Sequence, residues 1–104
     1  MQVLESSIER AAVKYARSWK CILLKIEGQM GWPDRLLLCP NGTSMFIEFK
    51  RPGESLRPLQ KHIQMTLRGM QFRAEEVDNL ELFKTLLQDL LQRPGYLQSI
   101  KSEV

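Results

Sequence analysis

The stretch GWPDRLLLCPNGTSMFIEFKRPG, residues 31–53, decides the fold of this chain. Two mostly apolar runs flank the dipeptide Asn41-Gly42, which is typical of a tight β-hairpin turn because both residues tolerate positive φ. Side chains alternate between the two faces of a strand, so Glu48 and Lys50 share one face of the second strand. The other face is fully apolar and is predicted to lie against the core; it is formed by Met45, Ile47 and Phe49.

The hairpin brings three charged residues to one end of the sheet. Asp34 begins the first strand, and the returning strand carries Glu48 back beside it, with Lys50 on the same face as Glu48. Two converging carboxylates offer the oxygen ligands that Mg²⁺ or Mn²⁺ prefers, and a lysine beside them would steady a reacting phosphate. Spacing alone favours a simpler interpretation, a salt bridge from Glu48 to Lys50 or Arg35 on a solvent-facing strand.

The residues before the hairpin predict a helix and a strand. Apolar positions step by three and four across residues 4–19, which indicates an amphipathic helix. Residues 21–26 form a short, mostly apolar run that suits a largely buried strand. Glycine and proline between residues 27 and 34 indicate a loop.

The residues after the hairpin complete the predicted architecture. Pro58 suits the first turn of a helix that closes at Gly69 as its C-terminal cap. A short strand at residues 71–74 and a last helix at residues 79–92 follow. The order αβββαβα predicts an α/β fold with one mixed central sheet flanked by helices.

Length and composition indicate a single folded domain. The 104 residues are 43% apolar and 26% charged, which is typical of a globular chain and not of a disordered one. We assign residues 1–104 to one domain, with a core at about 4–92 and a tail at 93–104. The sequence has neither an apolar run near the ~20 residues of a membrane span nor a secretory leader, so we expect an intracellular protein.

The net charge and the cysteines give only weak information about binding partners and metal sites. The formal net charge of +3 permits a polyanionic partner without establishing one. Cys21 and Cys39 lie in apolar segments and are predicted to be reduced, buried thiols, because a zinc site needs four ligands and only His62 could join them.

Three motifs in order resemble the VRR-NUC family of the PD-(D/E)xK nuclease superfamily. They are GWPDR at 31–35, FIEFKRPG at 46–53 and LRPLQ at 56–60, within a resemblance that extends over roughly residues 4–80. The resemblance implies a restriction-endonuclease-like αβββαβ core, here with an extra C-terminal helix. It also implies Mg²⁺- or Mn²⁺-dependent hydrolysis of DNA phosphodiester bonds.

The resemblance assigns roles to matched residues. Asp34 and Glu48 match the metal ligands, with the backbone carbonyl of Phe49 as a third, and Lys50 matches the catalytic lysine. Gln60 matches the glutamine that family members place near the site.

A first-helix glutamate and two departures complete the comparison of motifs. Glu5 matches a glutamate that binds or orients the metal, with Glu9 one turn further on as its alternative; without that role, Glu5 is a residue favoured by the helix dipole. Arg57 stands where a small capping residue is expected, and Trp32 is larger than the residue usual at its place. Neither departure affects a predicted metal ligand.

Cations around the second strand could form a solvated protein face, but the resemblance to a nuclease favours them as contacts for DNA phosphates. They are Arg35, Arg51, Arg57 and Lys61, with Arg68 further along the helix. Trp32 is a candidate for stacking on bases, whereas Trp19 is assigned to the core.

The last helix is apolar around much of its circumference, so its own domain or a partner must cover it. A homodimer is therefore one hypothesis, and the resemblance also implies a dimer that places two sites on branched DNA. We predict a DNA endonuclease that is selective for branched DNA such as a four-way junction, with no small-molecule cofactor and no membrane partner. The alternatives are a nonspecific or flap-directed nuclease and a non-catalytic DNA-binding module.

Overall fold

The structure is a computed structural model that describes residues 4–94, and these residues form three helices and four strands. The elements are α1 (Glu5–Ser18), β1 (Ile22–Lys25), β2 (Arg35–Leu38), β3 (Ser44–Phe49), α2 (Pro58–Gly69), β4 (Ala74–Val77) and α3 (Leu80–Leu91). The predicted αβββαβ order with a further C-terminal helix is confirmed. Residues 95–104 of the predicted tail lie outside the described residues.

The strands form one mixed sheet in the order β1-β2-β3-β4. The first three strands are antiparallel neighbours, and β4 runs parallel to β3 after the crossover through α2. Arg35 of β2 pairs with Ile47 of β3 in an antiparallel ladder, so the residues one step further, Asp34 and Glu48, lie opposite each other. The hairpin register therefore sets the geometry of the predicted site.

One face of the sheet packs against α1 and α3 and forms the core. Met45, Ile47 and Phe49 are each no more than 1% exposed, which confirms the predicted orientation of β3. The ring of Phe49 lies 6.1 Å from that of Phe83 on α3. Burying each such side chain stabilises the fold by about 1.5–3 kcal/mol.

The apolar stripe of α3 faces its own domain. Phe83, Leu87 and Leu90 are fully buried, and most of the other leucines of the helix pack against the same core. The helix begins after Asn79, whose side chain accepts a hydrogen bond from the N–H of Leu82. The apolar stripe of α3 is therefore covered by the helix's own domain.

The hairpin turn differs from the predicted one. Gly42 adopts a positive φ of 84°, but Asn41 does not. The carbonyl of Cys39 accepts a hydrogen bond from the N–H of Gly42, so Asn41 is a central residue of an ordinary turn. Its side-chain amide instead donates to the carbonyls of Leu90 and Arg93, which ties the hairpin to the end of α3.

Both ends of α2 also depart from expectation. The helix ends at Gly69 as predicted, but the left-handed residue beyond it is Gln71, with φ of 70°. Residues 70–72 donate their N–H groups to the last carbonyls of α2, and for this reason β4 begins three residues later than the predicted strand at 71–74. At the other end, the side chain of Gln60 accepts a hydrogen bond from the N–H of Arg57, which serves in place of a capping side chain.

Cys21 and Cys39 are buried free thiols, as predicted. Burial, together with the neighbouring Cys39, raises the pKa of Cys21 to about 12, so this thiol stays protonated. The assignment of Trp19 to the core is wrong: the residue follows the last turn of α1, is 46% exposed and contacts Tyr15 from the outside. Among residues 4–94, no helix combines the length and apolar character needed to cross a membrane.

Candidate active site

Glu48 and Lys50 are buried on the sheet face opposite the core. Each is 6% exposed, and they are the buried charged residues of the described chain. The amino nitrogen of Lys50 lies 3.9 Å from one carboxylate oxygen of Glu48. The ion pair of the simpler interpretation is thus present between Glu48 and Lys50, but it is buried and not solvent-facing, and Arg35 pairs with Glu9 instead.

Asp34 is fixed by the backbone of the hairpin. Its Oδ2 accepts a hydrogen bond of 2.9 Å from the N–H of Phe49, between Glu48 and Lys50. Its own carbonyl accepts from the N–H of Ile26, which joins the end of β1 to the start of β2. The carboxylate thus has a fixed position beside Glu48, as the sequence predicts.

The two oxygens of Glu48 have different surroundings. Oε1 accepts a hydrogen bond of 3.0 Å from the side-chain amide of Gln60. Oε2 is buried and has no hydrogen-bond partner within the described residues. Buried polar atoms are nearly always paired. The carboxyl group of Asp34 is close enough to share a proton with Glu48, and a cation between the two carboxylates would take the place of that proton.

The electrostatics of the site also favour a cation. Burial raises the pKa of Glu48 to about 8, and the negative charge of Asp34 adds to this effect while Lys50 opposes it. Burial also raises the pKa of Asp34, against the stabilising N–H of Phe49. The raised pKa values mean that the charged forms of both carboxylates are disfavoured, although one ammonium lies beside them. A bound cation would stabilise these charged forms.

Glu5 and Glu9, the two candidate glutamates of α1, have different contacts. Glu9 accepts a hydrogen bond of 2.8 Å from Nε of Arg35, and a second nitrogen of Arg35 donates to the carbonyl of Leu23. Glu5 is partly buried at the first position of α1, and its pKa is raised by burial and by the charge of Asp34. Glu5 is thus the carboxylate of α1 that is free of an ion pair within residues 4–94.

The donor set fits a magnesium-type ion rather than a zinc-type ion. Within residues 4–94, no three His, Cys, Asp or Glu side chains converge to form a metal site by themselves. Mg²⁺ is commonly held by one or two carboxylates and keeps several waters. Asp34 and the unpaired oxygen of Glu48 suit that mode of binding.

The remaining predicted cations are distributed unevenly. Arg51, Arg57 and Lys61 are exposed between the end of β3 and the first turn of α2. Arg35 donates its hydrogen bonds within the protein. Arg68 bonds to the carbonyl of Ala74 and to Glu75, so it holds α2 against β4.

The loop before Asp34 contacts α2 in a way that no sequence pattern predicted. Gly31 has a φ of 80°, and a Cβ built on it would lie 2.5 Å from the side chain of Leu59. Glycine at this place therefore allows both the turn and the close approach. The sequence identified Gly31 as a loop residue but did not show that it lies against Leu59 of α2.

Comparisons with known proteins find a curated relative and a solved structure of similar fold. No family model matches the chain. A protein of Acyrthosiphon pisum secondary endosymbiont phage 1, named "Putative nuclease p44", is 38% identical over 73 residues, which cover 66% of this chain and 78% of that protein. A solved structure described as a VRR_NUC domain has a TM-score of 0.71 and 22% identity, covering 81% of this chain and 94% of the other.

Proposed function

The chain belongs to the VRR-NUC family, and we propose that it is a nuclease that hydrolyses DNA phosphodiester bonds with Mg²⁺ or Mn²⁺. The observation that carries the proposal is the buried, unpaired Oε2 of Glu48, next to the fixed carboxylate of Asp34 and the ammonium of Lys50. A structural ion pair would not need an oxygen without a donor. A divalent cation would satisfy it.

Asp34, Glu48 and the backbone carbonyl of Phe49 are the proposed ligands, and Glu5 is a further candidate. The metal, when bound, would polarise a phosphate oxygen and lower the pKa of a water molecule. Gln60 holds Oε1 of Glu48 and so leaves Oε2 available.

Lys50 is the proposed catalytic lysine. Its ammonium is held close to Glu48 in a buried position, where a charge acts more strongly than in water. There it would orient the attacking water in line with the leaving oxygen and offset the negative charge that develops on the phosphate.

Exposed cations next to the site would hold the substrate. Arg51, Arg57 and Lys61 can contact phosphates close to the cleaved bond. Arg35 has a different proposed role, because it is bonded to Glu9 and to the carbonyl of Leu23 and therefore supports α1.

We propose branched DNA as the preferred substrate and a homodimer as the active form. The support is an uncovered part of the sheet: Ile22 and Leu24 of β1 are 60% and 50% exposed, and Leu38 of β2 is 36% exposed. Exposed faces of antiparallel sheets are commonly polar, so an aliphatic one suits a second copy. Two copies would present two sites to the two strands of a branch.

The function is tested by cleavage of labelled four-way junction, flap and linear duplex DNA with Mg²⁺, Mn²⁺ or EDTA. We expect metal-dependent cuts by wild type, a loss of at least 100-fold in Lys50→Ala with DNA binding retained, and unchanged activity in the control Lys84→Ala on α3. Equal cutting of all three DNAs would overturn the preference for branches. Binding without cutting by wild type would favour a non-catalytic module.

A further inference from the structure

A groove of about 630 Å³ runs along α1 and reaches Arg35 of β2. Arg10, Lys14 and Arg17 line it on the α1 side, and Glu9 lies beside Arg35. We propose that this groove binds the sugar-phosphate backbone of DNA on one side of the cleaved bond. The proposal rests on the proposed nuclease function and extends it to a second contact surface.

The residues that line this groove carry more positive than negative charge. Four cations and one carboxylate line it, and that carboxylate, Glu9, is paired with Arg35. The resulting excess of positive charge equals the formal net charge of +3 of the whole chain. Concentration of charge in a groove distinguishes it from an ordinary solvated face, where both signs are mixed.

The three α1 cations have no partner among residues 4–94. Arg10, Lys14 and Arg17 are separated by four and three residues, so they project from one side of the helix. None of them forms an ion pair with a described carboxylate. Like charges at this spacing destabilise a helix slightly, and a ligand with regularly spaced negative charges would remove that cost.

The dimensions match a nucleic-acid backbone. Arg10 and Arg17 are about 10 Å apart along the helix axis, at 1.5 Å per residue. Arg17 is about 18 Å along the axis from Glu5, a distance of about five base pairs at 3.4 Å each. A duplex arm that leaves the active site could therefore contact all three cations.

The groove is also continuous with the candidate active site. Ser6 and Glu9 line both this groove and a second hollow that also contains Glu5, the candidate metal ligand of α1. A strand that has its scissile phosphate at Asp34 and Glu48 would thus enter the groove at its Arg35 end. Arg57 and Lys61 lie on a different element, at the start of α2.

The test compares wild type with a triple variant, Arg10→Gln, Lys14→Gln and Arg17→Gln. The control, Lys20→Gln, Lys84→Gln and Arg93→Gln, loses the same charge outside the groove. Affinity for duplexes with arms of 2 to 10 base pairs is measured in EDTA from 50 to 200 mM salt. We expect the groove variant to bind at least 10-fold more weakly, and its slope of log K against log salt to fall by about 2–3.

The arm length provides a second readout. Wild-type and control affinity should rise with arm length up to about five base pairs and then level off, whereas the groove variant should gain little. Equal slopes and equal length dependence in the groove variant and wild type would overturn the proposal. So would displacement of DNA by polyglutamate at equal charge concentration, because the groove would then select charge alone.

Hydrolysis of bis(4-nitrophenyl) phosphate separates the groove from the catalytic site, since this diester is too small to contact Arg10, Lys14 and Arg17 from the site. The groove variant should hydrolyse it at the wild-type rate. If wild-type protein fails to hydrolyse both this diester and DNA, the proposed function fails, while the salt slopes still decide whether the groove binds DNA.

Discussion

Glu48 pairs one carboxylate oxygen with Gln60 and leaves the other buried without a donor. A buried unpaired polar atom costs about 1–3 kcal/mol, and more if it is charged. Lys50, at 3.9 Å, offsets part of this cost, but the pKa of Glu48 still rises to about 8. The residue proposed to hold the metal therefore weakens the fold unless a cation binds.

Glu48→Gln should stabilise the protein at alkaline pH in the absence of divalent metal. The folded-state pKa of about 8 lies above the usual value of 4.5, so between these values the folded state holds a proton that the unfolded chain has released. Wild-type stability should thus fall as pH rises through this window. At pH 8.5 the variant should be more stable by about 2–4 kcal/mol, measured by urea unfolding.

The same comparison at pH 4 is the internal control, because Glu48 is then mostly protonated in both the folded and the unfolded chain and the difference should nearly vanish. Glu76→Gln is the matched variant: Glu76 pairs with Glu48 across β3 and β4 but is exposed. It should change stability by less than about 0.5 kcal/mol at either pH. A Glu48→Gln variant less stable than wild type at pH 8.5 would contradict this account of the site.

At the level of elements, the loop before β2 is held against the start of α2. Gly31→Ala should destabilise the protein by about 2–3 kcal/mol and reduce cleavage, because the new methyl group meets Leu59 and displaces the loop that carries Asp34. Thermal unfolding and the cleavage rate measure the two effects.

Gly28→Ala separates backbone strain from this contact. Gly28 has a similar φ of 74°, but a Cβ there meets nothing within 4 Å. It should cost only about 1 kcal/mol and leave cleavage unchanged. Leu59→Ala in the Gly31→Ala background should restore part of the stability, and equal effects of the two glycine variants would show that the contact is unimportant.

Local patterns predicted the elements and the core face of β3, because period-two alternation decides which side chains meet the core. They could not predict contacts between distant segments. Asn41 was expected to adopt positive φ, but its amide binds carbonyls about 50 residues away. The motif likewise identified Asp34, Glu48 and Lys50, whereas the ion pair that separates Glu9 from Glu5 depends on packing of α1 against β2.

For the whole molecule, the open half of the sheet replaces α3 as the candidate dimer surface. Periodicity showed that α3 is apolar but not that its own core covers it. Leu24 of β1 pairs with Leu36 of β2, which pairs with Phe46 of β3, so an apolar row crosses the open face. That row is on the face of Glu48, opposite the core.

Leu24→Glu should convert a dimer of twice 12.1 kDa into a monomer in sedimentation equilibrium at micromolar concentration. A charge at the centre of an apolar interface is desolvated without a partner, which costs several kcal/mol. Met65→Glu, at an exposed position on α2, should leave the dimer intact. Wild-type protein that sediments only as a monomer would exclude this surface as a dimer interface.

Mn²⁺ binding, followed by electron paramagnetic resonance, measures whether Asp34 and Glu48 hold a divalent cation. Wild type should bind Mn²⁺, Asp34→Asn and Glu48→Gln should each bind at least 10-fold more weakly, and Glu76→Gln should bind as wild type does. Wild type that binds no Mn²⁺, or binding that Glu48→Gln leaves unchanged, would contradict the account.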